Sequence, residues 1–160
     1  MPMEARVVFK ESFTVVGMKV DTRMIEDRIP QLWERFIPRL NEIKHRTSRH
    51  DTYGISEYSD NYVEEFFSYW ACTPVDHAEE VPEGMVVRTV PAAHYAVVTH
   101  KGKLESMGGV FDYIHTVWLP NSGYELDKKD GFEVYGERFL GADNDQSETD
   151  VYVAVKKIAG

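Results

Sequence analysis

Residues 110–139, VFDYIHTVWLPNSGYELDKKDGFEVYGERF, pass from a helix through a turn-rich loop into a strand. Val110, Ile114 and Val117 recur at helical spacing, and the helix is expected to close at Trp118-Leu119-Pro120, because proline disfavours helical geometry in the residue before it. Asn121, Ser122 and Gly123, then Asp127 to Gly131, carry turn chemistry, and Phe132-Glu133-Val134-Tyr135 reads as a strand. Glu133 sits among three apolar or aromatic neighbours. A glutamate in a short strand commonly points to water. Its surroundings here favour the alternative, a carboxylate held against aromatic rings, where an unpaired charge is costly to desolvate and suited to receive a cation.

The composition narrows what the chain can be. Its 160 residues fit one domain with a real core, and 42% hydrophobic content with 12% aromatics argues against disorder. No apolar run is long enough for a membrane span, and the first residues, MPMEARVVFKESF, lack the apolar core of a signal peptide, so the expected compartment is the cytoplasm. Cys72 is the single cysteine, which excludes an intrachain disulfide. Within an aromatic strand it reads as a small buried residue and not a nucleophile. With 27 acidic against 18 basic residues, the net charge of −9 disfavours a nucleic-acid backbone as partner and attracts small cations.

From the N-terminus, Val7 to Phe9 and Phe13 to Val16 read as strand, with Gly17 marking a turn or bulge. Ile25, Ile29, Leu32, Phe36, Leu40 and Ile43 then recur every three or four positions, predicting an amphipathic helix from Asp21 or Thr22 to about Lys44. Pro30 and Pro38 require a kink, or a regular helix that begins only near Pro30. Trp33 and Phe36 read as core. His45 and His50 lie in a polar loop without metal-site spacing, and Asp143-Asn144-Asp145 lacks the glycine and terminal glutamate of a calcium loop, so no metal site is expected. Tyr53 to Ser56 and Phe66 to Val75 are two further strands; alternation places Tyr69 with Phe67 and Ala71 on one face, and Trp70 with Phe66 and Cys72 on the other. After the acidic connector 76–84, strands are expected at 86–90 and 95–99, a helix from Leu104 to Val117, and strands at 132–139 and 151–155.

The same order of elements thus occurs twice. Val15-Val16 maps onto Val97-Val98 at 82 positions, Pro38 onto Pro120 at 82, Gly54 onto Glu133 at 79 and Tyr69 onto Tyr152 at 83. The expected fold is therefore α+β: duplicated strand-helix-strand-strand units, about 5–75 and 84–158, forming a mostly antiparallel sheet with two main helices and a cleft at the pseudo-twofold seam. Tyr69 and Tyr152 would enter the cleft from either side, Trp118 would stack from above, and Glu133 would be its single formal charge. No GxSxG, HExxH, Walker or GxGxxG motif is present, and no cofactor is expected.

The blocks FFSYWACTPV, VPEGMVVRTVPAAHYAVVTHKG, VFDYIHTVWLPNSGYEL, FEVYGERF and DVYVAVKK resemble the GyrI-like small-molecule-binding domain, also called the AraC effector-binding domain. The resemblance covers nearly the whole chain and implies a single domain over 1–160 whose cleft binds bulky, often cationic, hydrophobic compounds. It places the central ligand-contacting glutamate on Glu133 and a contacting tyrosine on Tyr152; for Tyr69 and Trp118 the carry-over is weaker. With the chain filled by the effector domain, direct transcriptional control is not expected, and three roles remain open. The first is multidrug binding or sequestration without catalysis. The second is hydrolysis of strained electrophiles, with Glu133 as general base aided by Tyr69 or Tyr152. The third is inhibition of a protein partner, as by the gyrase inhibitor that names the family.

Overall fold

The computed structural model describes residues 4–22, 28–57 and 67–158. Among them, β1 (Arg6–Lys10), β2 (Phe13–Thr22), β3 (Thr52–Glu57), β4 (Phe67–Val75), β5 (Val86–Val90), β6 (Ala93–Lys101), β7 (Tyr124–Leu126), β8 (Gly131–Tyr135) and β9 (Glu148–Lys157) form one sheet. The order is β1-β6-β9-β8-β3-β4-β2-β5, with β7 added to β9, and every pairing is antiparallel. Outward from the β3–β8 junction the two directions match: β3-β4-β2-β5 on one side, β8-β9-β6-β1 on the other. Each half is completed by an edge strand from the other. β1 precedes the first unit yet pairs with β6, and β5 precedes the second yet pairs with β2. The fold is α+β with the expected duplication.

The register corrects two expected correspondences, Val15-Val16 with Val97-Val98 and Tyr69 with Tyr152. In the first half Gly54 and Met18 both pair with Ala71; in the second, Glu133 and Val98 both pair with Val151. Ala71 therefore matches Val151 and Met18 matches Val98, each 80 positions apart. At that offset Tyr69 matches Thr149, and Tyr152 matches Cys72. Equating Tyr69 with Tyr152 misplaces the strand by three residues, and an odd slip reverses the face on which a side chain stands.

Helix boundaries also move. β2 continues through Gly17 to Thr22, so Asp21 and Thr22 are strand residues and not caps; residues 23–27 of the expected helix lie outside the described residues. Gly17 is a close-approach position: a Cβ there would stand 2.1 Å from the Ala71 carbonyl oxygen of β4. α1 (Ile29–Phe36) has Pro30 in its first turn, where a missing N–H costs nothing, and runs on as a 3₁₀ turn over Ile37–Glu42. The second helix does not stop at Pro120. α2 (Gly108–Tyr113) widens into a π-helical turn at Ile114–Trp118, and α3 (Leu119–Ser122) carries the proline in its own first turn before Gly123 closes it at φ 79°. Side chains serve the displaced carbonyls: Thr116 Oγ1 donates to Asp112 O (2.6 Å) and Asn121 Nδ2 to Val117 O (3.2 Å). β8 ends at Tyr135, short of the expected Phe139, because Phe139 N turns back to Gly136 O (3.0 Å). β7 had no apolar run to announce it.

The two faces of the sheet are packed differently. On one, α1 sets Leu32 and Phe36 against Val16, Tyr69 and Ala71, while α2 and the π-helical turn after it set Val110 and Ile114 against Val98 and Val151. The other is concave. Phe13 of β2 and Phe132 of β8 lie three strands apart, about 14 Å in a flat sheet at the usual inter-strand spacing, yet their ring centroids are 5.5 Å apart. The sheet therefore curls around a core of Tyr53, Trp70, Tyr95 and Phe132. Cys72 lies fully buried there, its thiol pushed up by burial, as a small core residue. Among the described residues no helix is long and apolar enough to cross a membrane.

Candidate functional site

The β3–β8 junction pairs Thr52 with Tyr135, Gly54 with Glu133 and Ser56 with Gly131. Paired residues share a face, and these stand on the helix-bearing one. α1 packs over β2 and β4, and α2 over the β6–β9 pair, so neither helix covers the junction. The small residues Gly54, Ser56 and Gly131 leave a trough between the helices with Glu133 at its centre.

Two hollows open along this trough. The first, about 560 Å³, lies toward the Tyr135 end and is walled by Trp33, Ile37 and Leu40 from the α1 arm, with Tyr69, Tyr135 and Phe139. The second, about 500 Å³, lies toward the Gly131 end and takes Glu133 with Phe111 of α2 and His115 of the π-helical turn. Both fall in the range of about 300–1,000 Å³ usual for small-molecule sites. In the first, Trp33 meets Tyr135 edge-on at 5.5 Å and Tyr135 meets Phe139 at 4.9 Å. Trp33 Nε1 donates to the Tyr69 hydroxyl (3.2 Å). A Cβ on Gly54 would stand only 2.0 Å from that hydroxyl, so the tyrosine reaches over the junction because residue 54 has no side chain.

Glu133 is reached by water from the trough but is otherwise enclosed by protein, and this desolvation pushes its carboxyl up to about 7; its own backbone N–H acts in the opposite sense. No Lys or Arg among the described residues pairs with it. The other carboxylates at that hollow are already engaged, Glu57 by Arg88 at 2.7 Å and Lys19 at 4.0 Å, and Asp127 by Lys129 at 3.7 Å. Tyr69 and Tyr135 are held far above the usual phenol range, first by burial and then by the Glu133 charge. The trough thus contains neutral aromatic hydroxyls and, beside the ion-paired Glu57 and Asp127, one carboxylate without a cationic partner among the described residues, which holds its proton more tightly than an ordinary glutamate and releases it near neutrality.

Of the residues singled out from sequence, Glu133 and Tyr69 are brought together. Tyr152 borders the Glu133 hollow, but its ring stacks on Phe132 at 4.5 Å within the concave core, on the opposite face from Glu133. Trp118 stacks on Tyr124 at 5.8 Å within the cluster packed under the second helix, and the residues of that helix bordering the hollow are instead Phe111 of α2 and His115 of the π-helical turn. Trp33, Tyr135 and Phe139 were missed. Tyr135 had a signal, since two residues beyond Glu133 on a strand means the same face. Trp33 had none, because a wall residue and a core residue share one helical pattern.

Comparison with known proteins places the chain in a family and supports its fold. Residues 6–155 match the family described as integron-associated effector binding protein. The transcriptional regulator BrlR of Pseudomonas aeruginosa is 39% identical over 153 residues, which are 96% of this chain and 56% of BrlR, so the chain spans about half the length of that relative. SAV2435, in a structure bound to tetraphenylphosphonium, superposes with a TM-score of 0.73 at 17% identity, over 96% of this chain and 94% of that one. The EcmrR C-terminal domain does so at 0.72 and 18% identity, over 99% and 100%. These two share the fold. The chain belongs to the integron-associated effector binding protein family, within the GyrI-like effector-binding domains.

Proposed function

We propose that the trough binds bulky hydrophobic organic cations and that Glu133 supplies their counter-charge. The observation that carries this is a carboxylate ion-paired to no Lys or Arg among the described residues, in a trough whose first hollow is aromatic-walled and whose second, mainly apolar, also has Glu57, Asp127, Lys128 and Lys129 in its lining. An empty site leaves that charge poorly solvated. A lipophilic cation relieves it while burying its own apolar surface, and the faces of Trp33, Tyr69 and Tyr135 add cation–π attraction of about 0.5–2 kcal/mol each where they engage it. A neutral compound of the same shape gains only the apolar part, so the trough selects for charge as well as bulk. Tetraphenylphosphonium has the required character, and SAV2435 binds it.

The test is a calorimetric titration with tetraphenylphosphonium and with triphenylphosphine oxide, a neutral compound of similar apolar character, on the wild type and Glu133→Gln. Selective loss of the cation in the variant supports the reading; equal loss of both, or no saturable binding of either, defeats it. We read the site as binding without turnover, so the ligand is to be recovered unchanged. One feature favours a second reading: a carboxyl near 7 also suits a general base toward water. Turnover of an electrophilic ligand that disappears in Glu133→Gln would put hydrolysis in place of binding.

A further inference from the structure

Away from the trough, His45, His77 and Glu79 bring three metal-ligating atoms within 4.8 Å of one another at the surface. The backbone builds this cluster. Asp76 N donates to His45 O (2.8 Å), Thr47 N donates to Pro74 O (3.0 Å), and Arg46 bridges Val75, so the segment after the 3₁₀ turn is fastened to the end of β4. The imidazoles of His45 and His77 then lie face to face at 3.9 Å, tilted by 32°, and Glu79 Oε1 is 3.9 Å from His77 Nε2. The only non-glycine residues in the left-handed region among those described are His45 (φ 63°) and Glu80 (φ 52°), one in each segment of this cluster, and Glu80 is ion-paired to Lys44. Such a conformation is uncommon outside glycine and is retained where the surroundings impose it. The His45 carbonyl and the Glu80 carboxylate each make a contact between the two segments, to Asp76 N and Lys44 Nζ.

We propose that His45, His77 and Glu79 form a binding site for a divalent transition metal such as Zn²⁺. Two imidazole nitrogens and a carboxylate are a zinc donor set, with water completing the coordination, and bonds of about 2.0–2.2 Å place tetrahedral ligand atoms about 3.3–3.6 Å apart. The three side chains are exposed and reach that spacing by closing about an ångström. The metal replaces the weak contact between two stacked imidazoles with bonds to both. It joins the arm that carries Ile37 and Leu40 of the first hollow to the connector between the halves, so its effect is to fix that arm in place.

The experiment titrates the metal-free protein with ZnCl₂ by calorimetry and with CoCl₂ by visible absorption, using wild type, His45→Asn, His77→Gln and, as a control, His50→Ala. Asparagine tolerates the left-handed backbone of position 45, and residue 77 is exposed, so both variants keep the fold. The expected result is one Zn²⁺ per chain, a raised melting temperature, a Co²⁺ band of low-coordinate character, and affinity lowered at least about tenfold in both cluster variants but not in His50→Ala. Zn²⁺ binding unchanged by either cluster variant, or no saturable binding by wild type, overturns the proposal. Glu133→Gln is to bind Zn²⁺ as wild type does, which keeps this result separate from the fate of the trough.

Discussion

Gly54 and Glu133 face each other directly across the β3–β8 junction, at the pseudo-twofold axis, and the Tyr69 hydroxyl occupies the space that a Cβ on residue 54 would take. One half of the duplication contributes a charge and the other an absence. The absence admits Tyr69, whose hydroxyl accepts from Trp33. Gly54→Ala therefore must displace a buried ring or move a central strand. Overpacking of this kind costs about 1–3 kcal/mol. We expect a denaturation midpoint lowered accordingly and cation binding weakened alongside. A variant as stable as wild type would show that Tyr69 is not wedged against the junction.

Glu133→Gln separates the cost of the carboxylate from its use. With its folded-state carboxyl raised to about 7 from an ordinary value of 4.5, the native protein holds this proton more tightly than the unfolded chain does. Between those limits the unfolded state binds fewer protons, so Glu133 makes stability fall as pH rises from about 4.5 to about 7, with no further change from this group above. Each tenfold change in proton affinity is worth about 1.4 kcal/mol; discounted for the group's partial opening to water, the effect is on the order of 2 kcal/mol. Ligand-free Glu133→Gln is thus expected to be more stable than wild type above neutrality and equal to it near pH 4, measured by urea unfolding across pH. A variant less stable at alkaline pH would mean the carboxylate has a stabilising partner.

The duplication, the central acidic position and the antiparallel α+β plan were legible because each rests on a local pattern: alternation in strands, spacing in helices, a glycine and a glutamate at matching places. What could not be read was register. Val15-Val16 and Val97-Val98 suggest one offset, while hydrogen bonding through Ala71 and Val151 sets another, and apolar runs on both faces of a central strand do not say which. That ambiguity moved Tyr152 from the concave core into the expected cleft. Trp118 was misplaced for a related reason. The π-helical turn at Ile114–Trp118 rotates everything after it relative to a regular helix, and no residue spacing announces such a turn.

Those placements separate two aromatic substitutions that sequence alone would treat alike. Tyr135→Leu removes a π face from the wall of the first hollow while keeping apolar bulk, and is expected to weaken tetraphenylphosphonium by about 3- to 30-fold, the equivalent of one cation–π contact. Tyr152→Phe retains the ring stacked on Phe132 and is expected to leave affinity within about twofold, since the hydroxyl it removes belongs to the opposite face. Fluorescence titration of both variants decides the matter. A large loss for Tyr152→Phe with none for Tyr135→Leu would place the ligand on the concave side of the sheet.

Charge recognition by Glu133 carries its own pH signature. Tetraphenylphosphonium is permanently cationic, so any protonation change on binding belongs to the protein. Below about 7 the free carboxyl is increasingly protonated, and a ligand requiring the anion must displace that proton. Affinity then rises with pH by up to about tenfold per unit below the free-state value and levels off above it. Tyr69 and Tyr135, held far above the usual phenol range, stay neutral throughout and add no slope. A His115→Gln variant controls for the imidazole at the rim of the same hollow. Calorimetry from about pH 5 to about pH 9 is expected to show the rise in wild type and in His115→Gln, a flat profile in Glu133→Gln, and proton release on binding that is largest below neutrality. A slope that survives in Glu133→Gln would assign the charge recognition to another group.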